Sequence, residues 1–89
     1  MMQNVWVVTY SNRKTDIEYV IAFVSVKEIE LLRKYRDSLF SRPEYKDGQN
    51  SIIGNYDLSG DQELVIEFNK TETFSFFKRG IDEHLEREV

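Results

Sequence analysis

The sequence predicts an α+β fold: two ββα halves forming one four-stranded antiparallel sheet with two helices on one face. Three observations predict it. Residues 16–40 (DIEYVIAFVSVKEIELLRKYRDSLF) align without a gap on residues 61–85 (DQELVIEFNKTETFSFFKRGIDEHL) at an offset of 45. Asp16 falls on Asp61, Glu18 on Glu63, Val20 on Val65, Ile21 on Ile66, Phe23 on Phe68 and Asp37 on Asp82. A self-match at fixed offset implies a repeated structural unit. Each half also opens on β-branched and aromatic runs split by a polar turn. Each half closes on a segment that can be read at helical spacing. The halves are expected at about 4–40 and 50–86, joined by a linker at 41–49, with 1–89 as a single domain.

In chain order, Asn4–Tyr10 reads as a strand, Ser11–Asp16 as a polar turn and Ile17–Val24 as the returning strand. Ser25 and Glu28 then have capping-box spacing: the Ser hydroxyl can accept from the Glu28 amide, and the Glu carboxylate can reach back. A helix follows to about Phe40. Its apolar side carries Ile29, Leu31, Leu32, Tyr35, Leu39 and Phe40. Glu30–Lys34 and Arg33–Asp37 are spaced to pair on its exposed side. Pro43 stops it. Asp47-Gly48 marks a turn in the linker. Asn50–Tyr56 is a weak third strand interrupted by Gly54, Asp57–Asp61 a second turn, and Gln62–Asn69 an alternating fourth strand. Thr71–Phe77 is ambiguous between strand and helix. Phe74, Phe77, Ile81 and Leu85 recur at helical spacing, and the self-match places the segment on the first helix. A second helix from about Glu72 to Glu86 is therefore expected, with Gly80 costing it about 1 kcal/mol relative to alanine.

The composition narrows the function classes. The formal net charge is −4 and the sequence pI about 5.0. Nucleic-acid binding is disfavoured, because phosphate neutralisation needs clustered Lys and Arg. A basic set can still be drawn from Arg13 and Lys14 at the first turn with Arg33, Lys34, Arg36, Arg42 and Lys46. There is no cysteine, which removes disulfides and thiolate chemistry. No basic leader and no apolar run of about 20 residues is present, so a cytoplasmic protein without a membrane partner is expected. His84 is the only histidine, so no zinc site, catalytic triad or other metal site is expected. Asp57, Asp61, Glu63 and Glu67 lack calcium-loop spacing. The four glycines match no phosphate-binding fingerprint. No enzyme activity and no cofactor are expected.

What remains unexplained is apolar surface. Alternation along the hairpin strands directs Tyr19, Ile21 and Phe23 towards the helices, and likewise Leu64, Ile66 and Phe68. The opposite face of the first hairpin then presents Trp6, Val8, Val20, Ala22 and Val24, with Phe76 off the main stripe of its helix. A contiguous exposed apolar patch marks an interface. These six residues are the expected partner-binding set of a small acidic protein. It would contact another protein or itself, as an inhibitor, immunity or antitoxin-like factor of bacterial or phage type does. The alternative is a small-ligand or nucleotide-binding module, with Tyr10, Asn50, Asn55 and Tyr56 lining a groove between halves or protomers.

Overall fold

The computed structural model describes residues 2–46 and 48–82. Strand β1 (Met2–Asn12) pairs antiparallel with β2 (Ile17–Ser25). The Asn12 side chain closes the turn between them by accepting from the amides of Lys14 (2.9 Å) and Thr15 (3.1 Å). Asp16, at φ 56, makes the last step in the left-handed region that Asp tolerates. Ser25 then accepts from the Lys27 amide at 3.2 Å and starts a short 3-10 turn, Val26–Glu28, ahead of helix α1 (Ile29–Leu39). Pro43 opens a one-turn helix, α2 (Pro43–Lys46), inside the expected linker. Strands β3 (Asn50–Gly54), β4 (Leu64–Phe68) and β5 (Glu72–Asp82) follow.

The fold is α+β, and the described residues form one antiparallel sheet of five strands, in the order β2-β1-β5-β4-β3. This corrects the expected four strands and paired ββα halves. The segment expected as a second helix is β5 over Glu72–Asp82, seated between β1 and β4. Residues 83–86 of that expected helix, His84 among them, lie outside the described residues. The self-match therefore joins unlike structures: Ile29 and Leu32 are helical, while Phe74 and Phe77 are extended. The β4–β5 connection favours the strand. Asn69 and Lys70 both have positive φ (53 and 58), and the Thr71 amide donates to the Phe68 carbonyl at 3.0 Å. That is the mirror-image turn whose twist matches a hairpin.

Both helices lie on one side of the sheet. Leu32 and Leu39 of α1 and Tyr45 of α2 join Trp6, Val8, Leu64, Ile66, Phe68, Phe74 and Phe76 in the core. Phe68 sits among three rings: Tyr45 stacked at 4.0 Å and 11°, Phe40 edge-on at 5.5 Å, and Phe74 edge-on at 5.9 Å. Leu31, expected on the buried side of α1, is exposed, and Arg36 is buried instead. The Arg36 guanidinium donates to the Tyr56 carbonyl and to Asp37 (2.9 Å), and lies 4.2 Å over the Tyr56 ring. The Arg33 Nε donates to the Asp57 carbonyl at 3.0 Å. These contacts tie the long β3–β4 loop to α1, and the loop sends Leu58 into the core.

The face assignment along β2 also needs correction. Val8 pairs with Ala22, but Thr9 pairs with Val20, so Ile21 is an extra residue. Such a bulge shifts the alternation by one position. Tyr19 and Ile21 remain on the helix side, as expected, but Phe23 does not. Phe23 pairs with Val7, and Val7 lies opposite to the core residues Trp6 and Val8.

Candidate functional site

Two surfaces have chemistry that the core does not consume. One is the open face of the sheet, opposite the helices. The strand registers place Phe23, Val7 and Phe77 in one row across β2, β1 and β5. The next row is Val20, Thr9, Ser75, Val65 and Ile53. Phe23 is 63% exposed, Ile53 64% and Val20 48%. Val7, between its ladder partners Phe23 and Phe77, is buried. The face is bordered by Glu18, Thr73, Glu67 and Ser51 along one side and by Arg79 on the other. Arg13 reaches Glu67 at 3.5 Å. Strand β2 is also an edge of the sheet, and Glu18 is its only charged residue.

The second surface is a cleft of about 450 Å³ on the helix side, where α2 and the 40–42 turn face β2. Its walls are the rings of Tyr10, Tyr19, Tyr35, Tyr45 and Phe74, with Ile21 at the rim. Its charged groups are Glu72, Arg42 and Glu44. The Tyr10 and Tyr45 hydroxyls both donate to one oxygen of Glu72, Oε2, Tyr10 at 2.9 Å. Asn12 donates to the Tyr10 hydroxyl at 3.1 Å. Burial is the largest cause that raises the Tyr45 hydroxyl well above its ordinary pKa, and the bond to Glu72 adds to it. Burial likewise raises Tyr10, with Asn12 opposing and Glu72 reinforcing. It raises Tyr35 too, against the lowering effect of the adjacent Arg42 guanidinium. The Tyr10 and Tyr45 phenols are thus donors fixed on Glu72. Arg42 lies 5.9 Å from the Phe74 ring and forms no ion pair among the described residues.

Of the residues expected to meet a partner, Trp6, Val8 and Phe76 are fully buried in the core, on the helix side. Val24 packs against that same core, and Ala22 shares its side by pairing with Val8. Val20 alone of the six is on the open face. The physical reason is the parity shift at Ile21, together with the extended conformation of β5. Phe23, Phe77, Val65 and Ile53 form the rest of the apolar face. Strict alternation without a bulge hides Phe23. The exposed position of Ile53 depends on β3 being the other edge strand.

The alternative ligand set is not gathered in one place. Tyr10 lines the cleft. Asn50 donates to the Tyr45 carbonyl at 3.2 Å, just behind it. Asn55 is spent inside the β3–β4 loop, where it donates to the Ser59 and Gln62 carbonyls. Tyr56 stacks under Arg36 and donates to Asp37 at 3.2 Å. The basic set is likewise dispersed. Arg13 pairs with Glu67, Arg33 with Glu30 at 2.6 Å, and Arg36 with Asp37. Among the described residues no group of three or more His, Cys, Asp or Glu is placed to hold a metal ion. No described helix is long and apolar enough to cross a membrane. Comparison with protein-family models, curated proteins and solved structures finds no match.

Proposed function

We propose that this is a small non-catalytic binding protein that acts by protein–protein contact. Its contact surface is the open face of the sheet, continued onto the free edge of β2. The observation that carries this reading is the exposure of Phe23, Val20 and Ile53 on a face with no described helix over it. A contiguous apolar face costs free energy in water and is relieved by a partner. A nine-residue edge strand with one charge offers unpaired backbone groups for strand addition.

The occupant we assign first is a second copy of the chain. Antiparallel addition of β2 to β2 is self-complementary, so one patch serves both protomers and the assembly closes as a dimer. A foreign partner would meet the same face in an inhibitor, immunity or antitoxin-like role of bacterial or phage type. The net charge of −4 would then favour a basic surface opposite it.

Sedimentation velocity from 5 to 200 μM tests the reading. The expected result is a concentration-dependent dimer that Phe23→Lys and Val20→Glu both abolish with unchanged far-UV circular dichroism. Trp6→Ala, on the core side, should instead lower the stability of the fold by about 3–5 kcal/mol. A strict monomer across that range, or a dimer indifferent to Phe23→Lys, refutes self-association through this surface.

A further inference from the structure

The cleft between α2 and β2 has features that a protein-contact face does not need. Two of its rings are fixed by hydrogen bonds and packing, and Tyr19 stays half exposed at the β2 edge. Tyr45 stacks on Phe68 and its hydroxyl is fixed on Glu72 Oε2, while Tyr10 contacts both Phe74 and Tyr19, at 5.1 and 5.3 Å. Rigid aromatic walls of this size suit a small molecule with an apolar body, and about 450 Å³ falls within the usual range of ligand cavities.

The charges narrow the choice further. Both phenols occupy the same carboxylate oxygen, so Oε1 of Glu72 has no donor among the described side chains. Arg42, partly buried, borders the same cleft together with Tyr35 and pairs with no described carboxylate. An anion and a cation thus border one aromatic cleft without neutralising each other. A purely cationic ligand would face Arg42, and a purely anionic one would face Glu72 and Glu44. A ligand with one group of each sign satisfies both.

We propose that this cleft binds a free α-amino acid with an aromatic or branched apolar side chain. Its ammonium group donates to Glu72 Oε1, its carboxylate accepts from Arg42, and its side chain lies against Tyr19, Tyr35 and Phe74. The site stands apart from the open face and does not depend on association through it.

Calorimetric titration of the intact protein with L-phenylalanine, phenethylamine and 3-phenylpropanoate tests the assignment. These share one ring and differ only in charge. L-Phenylalanine should saturate the protein with one site per chain. Each singly charged analogue should bind at least about tenfold more weakly, the factor expected for losing one charge-assisted hydrogen bond. Arg42→Gln should reduce the preference for L-phenylalanine over phenethylamine. Because the analogue series uses the unaltered chain, it does not depend on how any variant folds. No saturation with L-phenylalanine or L-leucine by 10 mM overturns the proposal. So does phenethylamine binding as tightly as L-phenylalanine, which would make the cleft a simple cation cage.

Discussion

Leu58 is the most constrained side chain in the β3–β4 loop, and replacing it separates two opposing effects. It is 2% exposed and belongs to the core, yet its backbone sits at φ 59, in the left-handed region. A leucine there is unfavourable by about 1–2 kcal/mol. The loop holds it in place from both sides. Its amide donates to the Asn55 carbonyl at 3.1 Å, and Arg33 and Arg36 grip the carbonyls of Asp57 and Tyr56. Leu58→Ala removes the buried side chain and should cost about 2–5 kcal/mol. Leu58→Gly relieves the left-handed strain, worth about 1–2 kcal/mol, but also removes the buried Cβ that alanine keeps, worth about 0.8 kcal/mol. Glycine also gives the unfolded chain extra freedom worth about 0.4–1 kcal/mol. Together these terms leave the two variants equal to within about 1 kcal/mol. At a buried site with ordinary negative φ, glycine falls below alanine by about 1–2 kcal/mol. A chain of 89 residues typically holds about 4–13 kcal/mol of net stability, so both variants should remain folded enough to measure. Urea unfolding followed by Trp6 fluorescence and by far-UV circular dichroism reads the difference directly. If the glycine variant falls below the alanine variant by the full amount of about 1–2 kcal/mol, the loop does not impose a positive φ at position 58.

Two further outcomes follow from the same kind of geometry. Lys70→Gly should stabilise the protein by about 0.5–1 kcal/mol, because Asn-Gly is the preferred pair for the turn that Asn69 and Lys70 form. A lower urea midpoint for this variant would mean that the Lys70 side chain is worth more than its backbone strain. Asp37 gives a pH signature. The Arg36 guanidinium donates to its carboxylate and holds it below its ordinary pKa. A depressed folded-state value means the stabilisation is fully present above the unfolded pKa, near 4, and is lost as pH falls through the folded one. Asp37 is largely exposed, so screening keeps the effect small. The stability gap between the parent and Asp37→Asn should be open at pH 6 and close towards pH 2.5. A gap of constant size would assign the effect of the substitution to something other than charge.

Helix α1 was legible in the sequence because several local signals agree there. Ser25 starts the 3-10 turn that leads into it, through the Lys27 amide rather than the expected Glu28 amide, Leu32 and Leu39 fall on one stripe, and Pro43 forbids its continuation. The first hairpin was legible for the same reason. Strand β5 was not, because Thr71–Phe77 carries β-branched and aromatic alternation together with helical spacing, and the offset match to α1 tipped the reading towards helix. What decides it is non-local. As a strand the segment pairs on both sides, with β1 from Asn12↔Glu72 onwards and with β4 from Phe68↔Glu72 onwards. Gly80, costly in a helix, was the local hint in the other direction. The bulge at Ile21 has no sequence marker, and it alone turned Phe23 from an expected core residue into the most exposed ring of β2. Glu72 and Arg42 were missed as site residues for a related reason. They are 30 positions apart and meet only because β5 is extended and antiparallel to β1.

The conformation of β5 also explains why two surfaces are left over at once. Five strands spaced by roughly 4.8 Å span about 19 Å between the outermost axes, whereas a helix with its side chains is about 10–12 Å wide. One helix of 11 residues, about 16 Å long, can shield roughly two strands of one face. Here α1 is supplemented by Tyr45 of α2 and by Leu58, which together close the core over β1, β5 and β4. Had Glu72–Asp82 been helical, a four-stranded sheet would have carried two full helices and little apolar surface would remain. As a strand it widens the sheet and removes a cover in the same step. The shortfall falls at the β2 edge on the helix side, where Tyr19 and Ile21 border the cleft, and across the whole of the other face, where Phe23, Val20 and Ile53 meet solvent. Both candidate sites therefore stem from one feature of the chain, and a probe of the β5 strand tests their common origin. Slow hydrogen exchange at the amides of Phe74, Ser75 and Phe76 is expected, since that strand is hydrogen-bonded on both sides, and fast exchange there would dissolve the basis of both.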